Sequence, residues 1–173
     1  EANPAARIVL LERGRSVLQK VKISGGGRCN VTHACFDTRE LVRHYPRGSR
    51  ELLGPFLRFG TQDTVDWFAQ RGVRLKTEDD GRMFPVTDDS QTIVSCLWET
   101  AKKAGVEVQL SARVERLEPQ PGGGWQVHLT GQSPMPADRV LAATGRNQAV
   151  WDTPSGPGSA IVAPVPSLVP LNC

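Results

Sequence analysis

The chain has 173 residues, 39% hydrophobic and 23% charged, a composition that fits one globular domain and excludes a disordered or fibrous chain. The net charge is +3 and the pI about 8.9, with the basic residues dispersed and no block of five or more, which reads as a solvated surface that could also favour an anionic ligand such as a nucleotide. No run of about 18 apolar residues is present to span a membrane, no basic-then-apolar leader opens the chain, and Cys29, Cys35, Cys96 and Cys173 have irregular spacings, so a cytoplasmic protein with reduced thiols is expected.

In chain order, Arg7-Ile8-Val9-Leu10-Leu11-Glu12 is an apolar run ending in an acid, the pattern of a parallel strand buried on both faces. Arg13-Gly14 turns the chain, and Ser24-Gly25-Gly26-Gly27 is a strong breaker. A helix is expected from Asp37, because Asp37-x-x-Glu40 has capping-box spacing. Residues 49–59 are helix-like but interrupted at Gly54-Pro55, and Thr61 to Arg71 is a clearer helix with Gly72 at the C-cap position. Val73 to Val86 reads as a hairpin around Asp79-Asp80-Gly81. Ser90 to Ala104 is the strongest helix, with Ile93, Val94, Leu97, Trp98 and Ala101 as its apolar stripe and Gly105 as its stop. Strands are expected at 106–110, 114–117 and 125–130, and a second buried strand at Arg139 to Gly145, after which five prolines forbid long regular helix. This order suits an α/β domain with mixed sheets.

Three features could carry chemistry. An acid at the end of a buried strand, as at Glu12, can accept both hydroxyls of a ribose in a dinucleotide fold, but the Gly-rich phosphate loop of that fold lies about 20 residues upstream, and only eleven residues precede Glu12. By itself Glu12 reads first as an ordinary exposed glutamate at a strand end. In Ile23-Ser24-Gly25-Gly26-Gly27-Arg28-Cys29-Asn30, consecutive glycines let backbone N–H groups converge on an anion, and Arg28 can add a bidentate contact to phosphate. The plain alternative is a flexible loop. Ala142-Ala143-Thr144-Gly145 ends its strand with small residues that admit a ligand close to the backbone, or simply pack tightly.

Glu12, Lys20, the Ile23-to-Thr32 block, Asp80-Gly81-Arg82-Met83-Phe84-Pro85, Ala143-Thr144-Gly145 and Pro166-Ser167-Leu168-Val169-Pro170-Leu171 together resemble, in that order, a family of bacterial NAD(P)/FAD-dependent oxidoreductases of the aminoacetone-oxidase and bile-acid-reductase type. The resemblance implies a Rossmann-like FAD-binding domain with a smaller antiparallel β layer. It implies that Glu12 holds the adenosine ribose, with Arg13 and Lys20 also on the cofactor. Ser24, Gly25, Gly26, Gly27, Arg28, Cys29 and Asn30 would run along the FAD, the last three toward the flavin. Val114 would meet adenine through its backbone, and Ala143, Thr144 and Gly145 would close over the cofactor. Arg82 and Phe84 would stand near the flavin or substrate cleft. The chain would lack the family's first strand and Gly-rich turn, so that residues 1–163 form a partial FAD-binding domain and 164–173 lead toward an inserted substrate domain. It departs from the family at Leu18-Gln19, Arg146 and Ser159.

Other signals are weaker. Cys29, His33 and Cys35 fall short of the four ligands of a zinc site, and no metal is expected. Cys29 is expected to line the cofactor rather than act as a redox thiol. Trp67 and Trp98 are expected in packed positions and His128 at the surface. The function expected is an FAD-dependent oxidoreductase reduced by NAD(P)H and passing electrons to a small organic substrate or to oxygen, with no catalytic residue assigned. The alternative is a nucleotide-binding module without catalysis. RNA binding is disfavoured for want of an aromatic platform, and neither a nucleic-acid nor a membrane partner is expected.

Overall fold

The computed structural model describes residues 5–144. Their elements are β1 (Val9–Leu11), α1 (Gln19–Gly27), β2 (Thr32–His33), α2 (Thr38–Arg43), α3 (Ser49–Arg58), α4 (Thr61–Ala69), β3 (Leu75–Thr77), β4 (Arg82–Pro85), α5 (Ser90–Lys103), β5 (Glu107–Gln109), β6 (Val114–Pro119), β7 (Trp125–Leu129) and β8 (Met135–Ala137). The chain divides into two compact units, one of residues up to Leu10 with Ser16–Val108, the other of Leu11–Arg15 with the chain from Gln109 onward. β1 and β5 are hydrogen-bonded neighbours. Glu107 N–H donates to the Ile8 carbonyl and Glu12 N–H to the Gln109 carbonyl, each at 2.9 Å, so the two strands ascend together and are parallel.

The first unit carries the antiparallel sheet β2-β4-β3, with Thr77 opposite Met83, Lys76 opposite Phe84 and Leu75 opposite Pro85. Its core joins Cys29, Phe68, Val73 and Ile93, flanked by Val21, Val31 and Leu97. Helix α4 stops as expected. Gly72, at φ 79°, donates its N–H to the Ala69 carbonyl, and Val73 N–H donates to Phe68, each at 3.0 Å. That pair of bonds is a Schellman cap, which needs the left-handed residue glycine supplies. Helix α5 ends in the same way at Gly105. Asp37 caps α2 by accepting from Arg39 N–H and Glu40 N–H at 2.8 and 2.9 Å.

The second unit carries the antiparallel sheet β6-β7-β8 over a core of Ala112, Leu117, Val127 and Leu129, against which Leu11, Val114 and Trp125 pack. Strand β8 contains Pro136, which the sheet tolerates because β8 is an edge strand.

Three expectations need correction. The 7–12 strand is not buried on both faces: Ile8 and Leu10 are 43% and 44% exposed, and β5 is the one strand paired with it among the described residues. Helix α3 runs through Gly54-Pro55 without a break, because one missing N–H costs one bond while Leu52, Leu53 and Phe56 hold the helix by its half-buried face. Residues 140–144 form no strand; Leu141 is 92% exposed, and no described backbone pairs with them. Ahead of the glycines the chain is helical, since α1 begins at Gln19.

Candidate functional site

The Gly-rich segment leaves the helix at Ser24, whose ψ of 152° is extended. Gly25, Gly26 and Gly27 then take φ of 55°, 68° and 85°, and Cys29 takes 62°. The turn is closed by Cys29 N–H donating to the Ser24 carbonyl at 3.0 Å and by the Ser24 hydroxyl donating to the Val21 carbonyl at 2.8 Å. Gly25 is demanded twice over. Besides its left-handed backbone, a Cβ there would stand 2.7 Å from Asn30 N and 3.0 Å from a Phe84 ring carbon. At Gly26 and Gly27 an added Cβ meets nothing within 4 Å, so the backbone on that side of the turn is open.

Arg28 projects from this turn onto the hairpin β3–β4. Its guanidinium carbon stands 4.0 Å from the centroid of the fully buried Phe84 ring. Arg28 is hydrogen-bonded to Glu78 and lies 3.5 Å from Asp88. Arg82 also faces Phe84, at 5.4 Å, and pairs with Asp80 at 2.6 Å and with Glu78 at 3.6 Å, while Lys76 is bonded to Asp88. Three cations thus meet three carboxylates. Arg28 is held in its charged form, first by its bond to Glu78. The Asp88 carboxyl is held below its ordinary value, first by Lys76, and Asp80 likewise, first by the Arg82 backbone N–H. The Asn30 carboxamide nitrogen, in the orientation its neighbours favour, donates to the Thr32 carbonyl at 2.9 Å, and Val31 N–H donates to Met83 at 2.8 Å. The second of these bonds ties the Gly-rich turn to β4, and the first reaches β2.

The structure therefore brings Ser24 to Asn30 together with Arg82 and Phe84 in the first unit. Lys20 lies there too, exposed on α1. In the second unit, Glu12 is half-buried and one of its carboxylate oxygens accepts from Gly14 N–H at 2.6 Å, across the turn that contains Arg13. The Glu12 carbonyl accepts from Ala112 N–H at 2.9 Å, which sets Glu12 next to the start of β6 and Val114. Ala143 and Thr144 are exposed, and Gly145 lies outside the described residues, as does the 164–173 segment. Sequence reasoning missed Glu78 and Asp88, the partners that fix Arg28, and Lys76, which pairs with Asp88. The acidic residues flanking β3 and β4 were visible, but their convergence depends on the hairpin register.

Among the described residues no group of three or more His, Cys, Asp or Glu side chains could hold a metal, and no helix is long and apolar enough to cross a membrane. Cys29, Cys35 and Cys96 are free thiols, and burial pushes the Cys96 thiol up. Trp67 packs against the first core, half-buried, as expected.

Residues 1–160 match the family described as HI0933-like protein Rossmann domain. The chain belongs to that family. Two curated relatives are similar over most of it: a 3-dehydro-bile acid delta(4,6)-reductase of Clostridium scindens, 29% identical over 81% of this chain, and a ribosomal RNA dihydrouridine synthase of Escherichia coli, 26% identical over 80%. Each alignment covers 33% of the relative, so the chain spans about a third of the length of these proteins. Among solved structures, the crystal structure of Thermovibrio ammonificans THI4 matches with a TM-score of 0.53 at 17% identity, covering 86% of this chain and 52% of that one, which supports the Rossmann-type α/β fold.

Proposed function

We propose that this HI0933-like chain is the cofactor-binding part of an FAD-dependent oxidoreductase of the cytoplasm. The observation that carries the reading is the similarity, over about four-fifths of the chain, to two proteins whose names describe the addition of hydrogen to a carbon–carbon double bond. The described residues fit the cofactor. The Gly26–Gly27 backbone is open where a Cβ would meet nothing, and one Glu12 oxygen has no partner among the described residues and suits a ribose hydroxyl. Bound FAD would supply hydride transfer, drawing on NADH or NADPH.

In this reading the chain's own residues bind and orient. Gly25 keeps the turn against Phe84, so the loop keeps one shape. Arg28, neutralised by Glu78 and Asp88, is better suited to lie against an uncharged ring than to hold a pyrophosphate, which supports the assignment of Arg28, Cys29 and Asn30 to the flavin end. Glu12, Arg13, Lys20, Val114 and residues 143–145 are assigned to the adenosine end. The test is anaerobic mixing of the purified, FAD-loaded protein with NADH and with NADPH. Loss of the visible flavin band with either is expected. Retained FAD with no bleaching by either would support a nucleotide-binding module without catalysis.

The substrate is proposed to be a small organic molecule with an activated double bond. A second reading has its own observation: two relatives, from Escherichia coli and Haemophilus influenzae, are ribosomal RNA dihydrouridine synthases, the latter 22% identical over 64% of this chain. On that reading the substrate is a base within RNA. RNA affinity of the purified protein separates the two.

A further inference from the structure

A substrate base carried within RNA requires a surface that holds the strand, and helices α2 and α3 with their connecting loop supply one. Residues 36–59 contain Arg39, Arg43, Arg47, Arg50 and Arg58, all exposed. The acids of the same stretch are Asp37, Glu40 and Glu51. Asp37 is turned onto the N-terminus of α2, and Glu40 pairs with Arg43 at 2.6 Å. Arg39, Arg47, Arg50 and Arg58 have no ion pair among the described residues, and Glu51 is the one acid left to oppose them.

Aromatic and apolar side chains are interleaved with these cations. Phe36 and Phe59 are each 53% exposed, and Leu57 is 67% exposed. Tyr45 is 40% exposed while its ring rests 5.5 Å from that of Phe56, so it is braced in place. On α3, Arg50, Gly54, Leu57 and Arg58 recur at helical spacing on the exposed face, opposite Leu52, Leu53 and Phe56. Arginine and aromatic residues are enriched at protein interfaces too. Four arginines without an ion pair against one remaining acid favour a polyanion instead, and a single strand uses both kinds of group, cations for phosphates and flat faces for unstacked bases.

We infer, resting on the reading of RNA as substrate, that the exposed arginines and aromatic rings of the α2–α3 block form a binding surface for single-stranded RNA. The experiment titrates a fluorescein-labelled oligouridylate with the purified protein and reads anisotropy across a KCl series. Affinity falls with salt. The double substitution Arg50→Gln with Arg58→Gln reduces the log–log salt slope by ~1.4, since each phosphate contact to a single strand contributes ~0.7. Phe36→Ala and Phe59→Ala each weaken binding by roughly 5- to 150-fold, the range for losing one stacked base. Glu51→Gln tightens binding, a gain that damage to the fold would not produce. Flavin content and melting temperature of every variant match those of the parent.

Parent-like affinity and slope in all these variants would overturn this surface while leaving RNA as substrate. Absence of oligouridylate binding by the parent at low salt would remove the RNA reading and this surface with it. Variants that change the oligomeric mass but not RNA affinity would assign the block to a protein partner and overturn the inference.

Discussion

At the residue scale, the Gly-rich turn makes unequal demands on its glycines. Gly25→Ala meets Asn30 N and Phe84 and also forces a left-handed backbone, whereas Gly26→Ala incurs the backbone strain alone. That strain costs about 1–2 kcal/mol. Gly26→Ala is therefore expected to lose about that much stability and Gly25→Ala clearly more, as read by urea denaturation; equal losses would contradict the packing of Gly25 on Phe84. Arg28→Ala removes the group stacked on Phe84 and leaves Glu78 and Asp88 short of a cation. FAD affinity is expected to fall in this variant, and an unchanged dissociation constant by fluorescence titration would remove Arg28 from the site. The same cluster gives an acid limb. Asp80 and Asp88 have depressed values in the folded state, so their contribution is fully present above the unfolded carboxylate value of about 3.9 and is lost as pH falls through the folded one. Melting temperature should decline on acidification below about pH 4, and less so in Asp88→Asn. A decline of the same size in both proteins would exclude Asp88 as a contributor.

At the scale of elements, stops and turns were more legible than burial. Gly72 and Gly105 could be placed from sequence because a Schellman cap needs a left-handed residue one step past the helix, and both take that role. Gly72→Ala is accordingly expected to cost about 1–2 kcal/mol, measured by denaturant titration, with the core cluster around Phe68 intact. The hairpin at Asp79-Asp80-Gly81 was legible for the same reason: Gly81, at φ 82°, packs against His33 so closely that a Cβ would lie 2.5 Å from its ring. What the sequence could not show was register. The pairing of Lys76 with Phe84 and Thr77 with Met83 brings Glu78 to Arg28, and no local pattern encodes that meeting. Nor does local pattern tell whether an apolar run such as Ile8 to Leu11 has neighbours on both sides, which explains the exposure found there. Strand β8 was missed because Pro136 argues against a strand everywhere but at an edge.

At the scale of the whole molecule, the fold and the family rest on the match over residues 1–160, and the resemblance seen in the ordered motifs agrees with it. The Gly-rich turn with Arg28 and Phe84 lies in one compact unit, and Glu12 with Val114 in the other. The most direct test is the visible absorption spectrum of the purified protein, repeated on the supernatant after denaturation. A flavin band that passes into the supernatant and there proves to be FAD is expected. No band, even after incubation with added FAD, would contradict FAD binding by this chain.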